Sequence, residues 1–229
     1  MNTATEIAAL LKSAQHLVFM TGAGVSTPSG IPDYRSMDGI YTKSGLKAPE
    51  YLLSHRAMQN DTAAFYQFIK QIYHPEAQPN VIHRVMAKLD ATVITQNIDG
   101  LHKKAGSKNT IEFHGTIDQC HCEKCGATVT SSDFLKSYLH ENCGGIVRPN
   151  VVLYDESIDQ ENIEQALTAL KRADVIAIVG TSFKVYPFAS LIDYANPQAK
   201  IIAINREPIA LPEVFASFIG DASEVFELI

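Results

Sequence analysis

A glycine-rich loop near the amino terminus has the residue types that hold a phosphate group. Residues 21–36, TGAGVSTPSGIPDYRS, directly follow a short apolar run, LVFM at 17–20. Gly22 and Gly24 allow the tight turn and the close backbone approach that a pyrophosphate needs. Thr27 stands where the usual dinucleotide fingerprint has its third glycine, and no acidic residue ends a second strand about 20 residues on, which disfavours an ordinary dehydrogenase site. A plain tight turn is the alternative interpretation.

Polar side chains also follow a second apolar run. The segment ITQNIDGLHKKAGS begins at residue 94 and carries four of them, Gln96, Asn97, Asp99 and His102. Open parallel sheets bind ligands beyond the carboxyl ends of their strands, so a cluster in this position indicates a site. Any one of these residues alone would be explained by loop solvation.

Two further segments offer a base and more donors. His114 lies in EFHGT, just before a glycine, and histidine is the usual general base near neutral pH. A single histidine is more often structural, so this assignment depends on the other segments. GTSFKVYP again follows an apolar run and offers N–H groups and hydroxyls to a phosphate or ribose from Gly180, Thr181 and Ser182. Asn205 ends the next apolar run in a comparable position.

Composition restricts the class of protein. The 229 residues are 46% hydrophobic and 19% charged, which is enough for a sizeable core in one large domain with a small insert. The net charge of -6 argues against a general nucleic-acid or membrane-surface binder. No apolar stretch approaches the ~20 residues of a spanning helix, and no secretory signal is recognisable. We therefore expect a cytoplasmic protein. All four cysteines fall between 120 and 143, which favours a metal site over disulfides.

The apolar runs are the elements that must position these residues. ATVIT at 91–95, DVIAIVG at 174–180 and KIIAIN at 200–205 are continuously apolar, as are parallel strands covered on both faces. Between two of these runs, residues 161–173 have helical spacing and supply a crossover helix. The pattern predicts an α/β fold with a Rossmann-like, doubly wound parallel sheet.

Two segments interrupt this alternation. Residues 40–78 have a helical, aromatic-rich pattern, and residues 118–148 hold the cysteines. We expect them to be a helical insertion and a zinc-binding module that together form a smaller lobe. The Rossmann-like domain then comprises 1–39, 79–117 and 149–229.

The ordered series of motifs resembles the sirtuin family of NAD-dependent protein deacylases, in its bacterial type. The matching stretches are GAGVSTPSGIPDYR, TQNIDGLH, FHG, CxxC, GGIVRPNVVLY and GTSFKVYP, and they extend over nearly the whole chain. The resemblance implies transfer of the acetyl group of acetyl-lysine in proteins to ADP-ribose, with release of nicotinamide, O-acetyl-ADP-ribose and free lysine. It also implies that the tail Asp33-Tyr34-Arg35 closes over the nicotinamide end of NAD while the glycine turn holds the phosphates.

The resemblance further implies a role for each matching residue. His114 would be the general base that deprotonates a ribose hydroxyl. Asn97 would be a second catalytic residue, beside the nicotinamide and its ribose, and Asp99 would bind the carboxamide of nicotinamide. The implied NAD site comprises Gly22, Ala23, Gly24, Ser26, Asp33, Tyr34, Arg35, Gln96, Asn97, Ile98, Asp99, Gly180, Thr181, Ser182, Asn205 and Ala222. The implied walls of the acyl-lysine tunnel are Val152, Tyr154 and Val185, on segments that would pair with the substrate backbone.

The metal module departs from the family pattern, which usually has two CxxC pairs for a structural zinc ion. Cys122-x-x-Cys125 is a zinc-ribbon half-site, but the second pair is His140-x-x-Cys143. We expect a Cys3His zinc site from these four residues, because imidazole is a common structural ligand. Three alternatives are that Cys120 supplies the fourth ligand, that His121 does so, or that the site holds no metal.

Three smaller departures fall around the substrate cleft. Tyr34 replaces the usual Phe, Asp155 replaces a glycine, and Phe188 replaces a small residue, so each is a candidate to alter peptide selection. Family members that favour acidic acyl groups have a Tyr-x-x-Arg pair after the cofactor loop. Here Tyr41 is followed by Ser44 in that spacing, and we expect uncharged acyl groups to be preferred over succinyl.

Other functions are compatible with the same fold. A mono-ADP-ribosyltransferase would also release nicotinamide from NAD, but would leave ADP-ribose on protein. A non-catalytic NAD-sensing module is a second alternative, although it would not need both Asn97 and His114. An NAD-dependent dehydrogenase is a third on fold alone, and fold does not determine function.

Overall fold

The computed structural model describes residues 2–33, 49–211 and 214–229. Its strands, in chain order, are β1 Leu17–Thr21, β2 Thr92–Thr95, β3 Thr110–Glu112, β4 Gly115–Cys122, β5 Thr128–Thr130, β6 Val147–Val151, β7 Val175–Val179, β8 Lys200–Asn205 and β9 Ala216–Ile219. Its α-helices are Ala4–Ser13, Pro49–Leu52, His55–Asn60, Thr62–Ile72, Val81–Lys88, Leu101–Lys104, Ser131–Phe134, Gln160–Arg172 and Ala222–Phe226. Short 3-10 helices are Ala23–Val25, Thr27–Ser29 and Ala189–Tyr194.

A six-stranded sheet in the order β3-β2-β1-β7-β8-β9 forms the larger layer. Each neighbouring pair of strands in it is parallel. The chain therefore winds outward in one direction from β1 to β3, crosses over, and winds outward in the other direction from β7 to β9. This is the predicted doubly wound α/β sheet, and its topological switch point lies between β1 and β7.

Both faces of this sheet are covered, which explains why its central strands are buried at every position and almost entirely apolar. All five residues of β1 and all five of β7 are buried. On one face, Phe19 and Val93 pack with the helices Ala4–Ser13 and Val81–Lys88. On the other face, Met20 packs with the crossover helix Gln160–Arg172. The four predicted strands and the crossover helix are all present, with ends within one residue of the expected bounds.

A smaller layer is built from the two interrupting segments. The antiparallel sheet β5-β4-β6 packs against the helix Thr62–Ile72, and the two share one apolar core that includes Phe65, Ile69 and Phe134. Residues of the helical and the cysteine-bearing segments therefore pack together in one apolar cluster. The exact boundaries of the two lobes stay a prediction. None of the helices in the described residues has the length and apolarity to cross a membrane.

Candidate active site

The loops that follow β1 and β7 pack directly against each other at the switch point. The backbone N–H of Gly24 donates to the carbonyl of Gly180 (2.8 Å), and the N–H of Gly22 donates to that of Val179 (3.2 Å). A Cβ atom on Gly24 would lie 2.7 Å from the Cα of Gly180. The close approach of the Gly180 backbone therefore requires glycine at position 24, whether or not a ligand is bound.

We expect Gly24→Ala to weaken NAD binding and to cost stability. The methyl group meets backbone atoms rather than a flexible side chain, so the loops after β1 and β7 must separate. Overpacking of this kind costs about 1–3 kcal/mol, and a misplacement of about 1 Å in a positioning loop can reduce rates by about a hundredfold. The KM for NAD should rise about tenfold, measured beside the melting temperature. Wild-type values for both quantities would contradict the assignment of this contact.

A large cavity opens at the switch point. Its volume is about 1060 Å³, and it extends from the loops after β1, β2 and β7 to the segment that follows β6. Nearly all the predicted NAD-site and tunnel residues line it: Ala23, Gly24, Ser26, Asp33, Gln96, Asn97, Ile98, Asp99, His114, Val152, Tyr154, Gly180, Thr181, Ser182, Val185, Asn205 and Ala222. Gly22 lies behind the lining, in the loop contact described above. Tyr34, Arg35, Tyr41 and Ser44 lie outside the described residues.

Ser26 is the centre of a polar network in one part of the cavity. Its hydroxyl donates to Oδ2 of Asp99 (2.6 Å) and accepts from the amide of Asn97 (3.1 Å). The other oxygen of Asp99 accepts from the backbone N–H of Leu101 (3.0 Å). Burial raises the pKa of Asp99, while the bonds from Ser26 and Leu101 oppose that rise. The network fixes the Asp99 carboxylate as an acceptor that a ligand amide can reach.

Two buried histidines lie beneath this network. The rings of His83 and His102 are 4.7 Å apart, Nε2 of His83 is 3.5 Å from Oγ of Ser26, and Nε2 of His102 is 3.1 Å from Oγ1 of Thr21. Burial lowers the pKa of His83 to about 4 and that of His102 well below its usual value, so both are neutral at pH 7. His102, a sequence candidate, therefore supports the site from below instead of lining the cavity.

The tautomer of His83 follows from its neighbours. Its Nδ1 accepts from the backbone N–H of Asn80 (3.3 Å), so its Nε2 carries the proton and points it towards Ser26. Sequence reasoning missed His83, because it lies on the helix Val81–Lys88, far in the chain from every motif. Nothing in its local pattern distinguishes it from a histidine in the core.

His114 is placed and oriented as a general base would be. Its Nδ1 is 3.2 Å from the carbonyl oxygen of Gln96, which can only accept, so Nδ1 carries the ring proton. Nε2 then bears the lone pair that a base needs. The backbone carbonyl of His114 accepts from the N–H of Val152 (2.9 Å), which ties the histidine to the predicted acyl-lysine tunnel.

Phe188 stands behind His114 and not at the cleft mouth, where the sequence comparison suggested a role in peptide selection. Its side chain is 0% exposed, and its ring packs edge-to-face against Phe113 (5.6 Å) and Phe183 (6.1 Å). Its ring centroid is 6.3 Å from that of His114. The large ring fills volume in the apolar core that contains Phe113 and Phe183.

Two amide donors in the cavity wall have no partner among the described residues. Oδ1 of Asn205 accepts from the N–H of Thr181 (2.8 Å), and Oε1 of Gln96 accepts from the Thr181 hydroxyl (3.2 Å). Nδ2 of Asn205 and Nε2 of Gln96 are buried and make no hydrogen bond to any residue within 2–33, 49–211 and 214–229. A buried donor without a partner costs about 1–3 kcal/mol, which oxygens of a bound ligand would offset. The cavity therefore fits a ligand rich in acceptors, as a ribose or a diphosphate is.

The metal cluster consists of the four expected residues. The ligand atoms of Cys122, Cys125, His140 and Cys143 all lie within 4.8 Å of one another. Nδ1 of His140 is 3.3 Å from the sulfur atoms of both Cys125 and Cys143. Three thiolates and one imidazole in this arrangement suit tetrahedral zinc.

The two alternative fourth ligands point elsewhere. Cys120 is 0% exposed within the apolar core of the small layer, and burial raises its pKa to about 12. His121 directs Nδ1 to Oδ1 of Asn150 (2.6 Å) and Nε2 towards Glu123 (3.4 Å). Because side chains alternate along β4, His121 points to the face opposite Cys122. Cys120 shares the face of Cys122, but its Sγ lies 3.9 Å from the carbonyl of Ile117 in the apolar core, and it is not part of the four-residue cluster.

Comparison with known proteins agrees with this geometry. Residues 22–187 match the model of the Sir2 family. A curated NAD-dependent protein deacetylase of Listeria monocytogenes serovar 1/2a is 54% identical over 222 residues, which are 95% of this chain and 96% of the relative. The corresponding protein of Enterococcus faecalis is 47% identical over 220 residues, 94% of this chain and 92% of the relative.

Solved structures give the same result. A Sir2 structure with deacetylated p53 peptide and 3'-O-acetyl ADP ribose has a TM-score of 0.90 at 31% identity, covering 99% of this chain and 97% of that one. A complex of Sir2 with p53 peptide and NAD+ has a TM-score of 0.85 at 32% identity, covering 99% and 96%. The fold and site define an NAD-using α/β protein. This chain belongs to the Sir2 family.

Proposed function

We propose that this protein is an NAD-dependent protein lysine deacetylase that transfers the acetyl group of acetyl-lysine to ADP-ribose. Its products are nicotinamide, O-acetyl-ADP-ribose and free lysine. The observation that carries the proposal is the position of His114, whose Nδ1 is held by the Gln96 carbonyl. Its ring is bonded to the backbone of Gln96, whose side-chain amide lines the cavity, and its backbone carbonyl accepts from Val152 at the start of the segment after β6.

NAD supplies a ribose carbon that becomes electrophilic when nicotinamide leaves as a neutral group. We assign Gly22, Ala23 and Gly24 to its phosphates, together with the loop that begins at Gly180. The amides of Gln96 and Asn205 donate to ribose and phosphate oxygens. The carboxylate of Asp99, held by Ser26 and Leu101, accepts from the nicotinamide carboxamide. Asp33 lines the cavity, and we assign it to binding of NAD at the nicotinamide end. The family resemblance assigns Tyr34 and Arg35 to the same role.

His114 takes a proton from a ribose hydroxyl through Nε2. Asn97 fixes the glycine-rich loop after β1, because its side-chain amide donates to both the carbonyl of Gly22 (3.1 Å) and the hydroxyl of Ser26 (3.1 Å). These two hydrogen bonds link the loop after β2 to the loop after β1. The catalytic base and the nicotinamide pocket thereby keep a fixed separation.

Val152, Tyr154 and Val185 form the walls that receive the acyl-lysine. Apolar walls exclude water and hold the amide oxygen, a poor nucleophile, in line with the ribose carbon. The substrates are acetylated lysines of proteins. The net charge of -6 disfavours direct binding to anionic membranes or nucleic acids. We also expect a cytoplasmic location. The lobe division at 40–78 and 118–148 is part of the same proposal.

Acetyl-lysine should be preferred over succinyl-lysine by at least about tenfold in kcat/KM. The sequence has Ser44 three residues after Tyr41, so a succinyl carboxylate would lack the arginine that family members with acidic acyl preference have in that spacing, and an unpaired buried charge costs several kcal/mol. The comparison uses one peptide sequence with either acyl group and saturating NAD. Faster turnover of the succinyl peptide would overturn this assignment.

The proposed function is tested by following three products together by mass spectrometry. With NAD and an acetyl-lysine peptide, we expect nicotinamide, deacetylated peptide and O-acetyl-ADP-ribose in equal amounts. Nicotinamide without deacetylation would indicate ADP-ribosyl transfer or NAD hydrolysis. No nicotinamide with any peptide would favour a binding module, and reduced-nicotinamide absorbance would reveal a dehydrogenase.

A further inference from the structure

The segment that follows β6 is a tightly fixed turn at the edge of the cavity. The guanidinium of Arg148 bonds both carboxylate oxygens of Glu156, and its Nη2 also donates to the carbonyl of Val151 (2.6 Å). Oε2 of Glu156 accepts from the backbone N–H of Leu153 (2.9 Å). The Arg148 side chain is only 7% exposed, so this ion pair is well shielded from water. Burial would raise the pKa of Glu156, but Arg148 and the backbone bond lower it to about 2.

This turn presents Asp155 in a defined position. The residue before Asp155 is also fixed. The backbone N–H of Tyr154 donates to the carbonyl of Leu53 (2.9 Å), and its carbonyl accepts from the backbone N–H of His55 (3.0 Å). Asp155 has a φ of 72°, in the left-handed region that aspartate, asparagine and glycine tolerate best. Its side chain is exposed and lines the cavity beside Tyr154. A glycine would make the same turn without placing a charge there.

The Asp155 carboxylate is available for a substrate. Among the residues that the structure describes, no ion pair and no side-chain hydrogen bond engages it. The neighbouring carboxylate of Glu156 is occupied by Arg148, so Asp155 is the residue of this turn that can offer its charge to a peptide. Lys184 lies on the other segment that lines the tunnel end of the cavity. A peptide between the two segments thus meets an anion on one side and a cation on the other.

We propose that Asp155 makes this enzyme select peptides that carry a lysine or arginine close to the acetyl-lysine, on the side that faces the turn. The inference rests on the proposed deacetylase function and names its substrate class. Lys184 would repel a basic residue placed on its own side, so the preference is confined to one or two peptide positions. An exposed ion pair contributes modestly, and salt weakens it.

The test scans one lysine through each of three positions before and after the acetyl-lysine, with norleucine as the uncharged reference. We expect wild-type kcat/KM at one or two positions to favour lysine, and Asp155→Asn to reduce that preference by about two- to five-fold. Asparagine tolerates the left-handed backbone equally, so the turn is kept, and the norleucine peptide serves as the internal reference for each enzyme. Asp193→Asn removes the same charge from an exposed position outside the cavity and should leave the preference intact.

Binding of the same peptides, measured by fluorescence anisotropy, separates this inference from the proposed function. Loss of lysine preference in Asp155→Asn supports the inference even if no product forms, whereas absence of product from every peptide refutes the deacetylase proposal. An unchanged preference at every position in Asp155→Asn overturns the role of Asp155. Added salt should reduce the wild-type preference by a similar factor, and a salt-independent preference would also contradict it.

Discussion

Replacing His114 with alanine should reduce deacetylation by about a hundredfold or more while NAD still binds. A positioned general base contributes typically ~10²–10⁴-fold. His74 is the other described histidine in the cavity lining, and its Nδ1 faces Glu76 instead of Gln96. The change removes the imidazole that bonds the Gln96 carbonyl through Nδ1, and it alters no residue of the phosphate-binding loops after β1 and β7. The measurement is kcat with an acetyl-lysine peptide beside the dissociation constant of NAD by calorimetry.

His16→Ala is the matched control for this variant. His16 is exposed and lies outside the cavity, so its replacement should change neither kcat nor NAD affinity. Near-native turnover of His114→Ala would show that another group acts as the base. An equal loss of NAD binding and turnover would instead mean that His114 supports the NAD site.

Replacing His140 with alanine should release zinc and destabilise the smaller layer. Structural zinc binding in small metal-dependent domains is worth about 10–16 kcal/mol in apparent free energy at pH 7, and it requires all four ligands for full affinity. The cluster joins the hairpin after β4 to the turn before β6, and these strands share a core with the helix Thr62–Ile72. We expect zinc content to fall towards zero and the melting temperature to drop, measured by elemental analysis and calorimetry.

Cys120→Ala separates this site from its alternatives. Cys120 is buried in the apolar core, so this change should keep wild-type zinc content with only a small loss of stability. His140→Cys supplies a thiolate in place of the imidazole and should restore zinc binding. Full zinc content in His140→Ala, or loss of zinc from Cys120→Ala, would contradict the assignment of the fourth ligand.

The fold could be predicted from the sequence because its central strands are buried on both faces. Such strands have uninterrupted apolar runs in their sequence, and here each run is followed directly by glycine or polar residues. Parallel strands bring their carboxyl ends to one edge, so the segments after β1, β2 and β7 had to meet. The site residues that follow these strands were therefore predictable before any coordinates.

The supporting residues could not be predicted, because their roles depend on contacts between distant segments. His83 reaches Ser26 only after the helix Val81–Lys88 packs under the first loop. Whether the amides of Gln96 and Asn205 find hydrogen-bond donors and acceptors depends on which distant segments surround them in the folded chain. Phe188 looked like a cleft residue by its place after Pro187, but an apolar ring at that position is better accommodated in the core.

The fate of the acetyl group tests the central claim most directly. A peptide with a deuterated acetyl-lysine is incubated with the enzyme and NAD, and the label is followed by mass spectrometry at early times. The account predicts that the labelled acetyl group appears first as an ester of ADP-ribose, in an amount equal to the nicotinamide released. Label that appears directly as free acetate, without consumption of NAD, would contradict it.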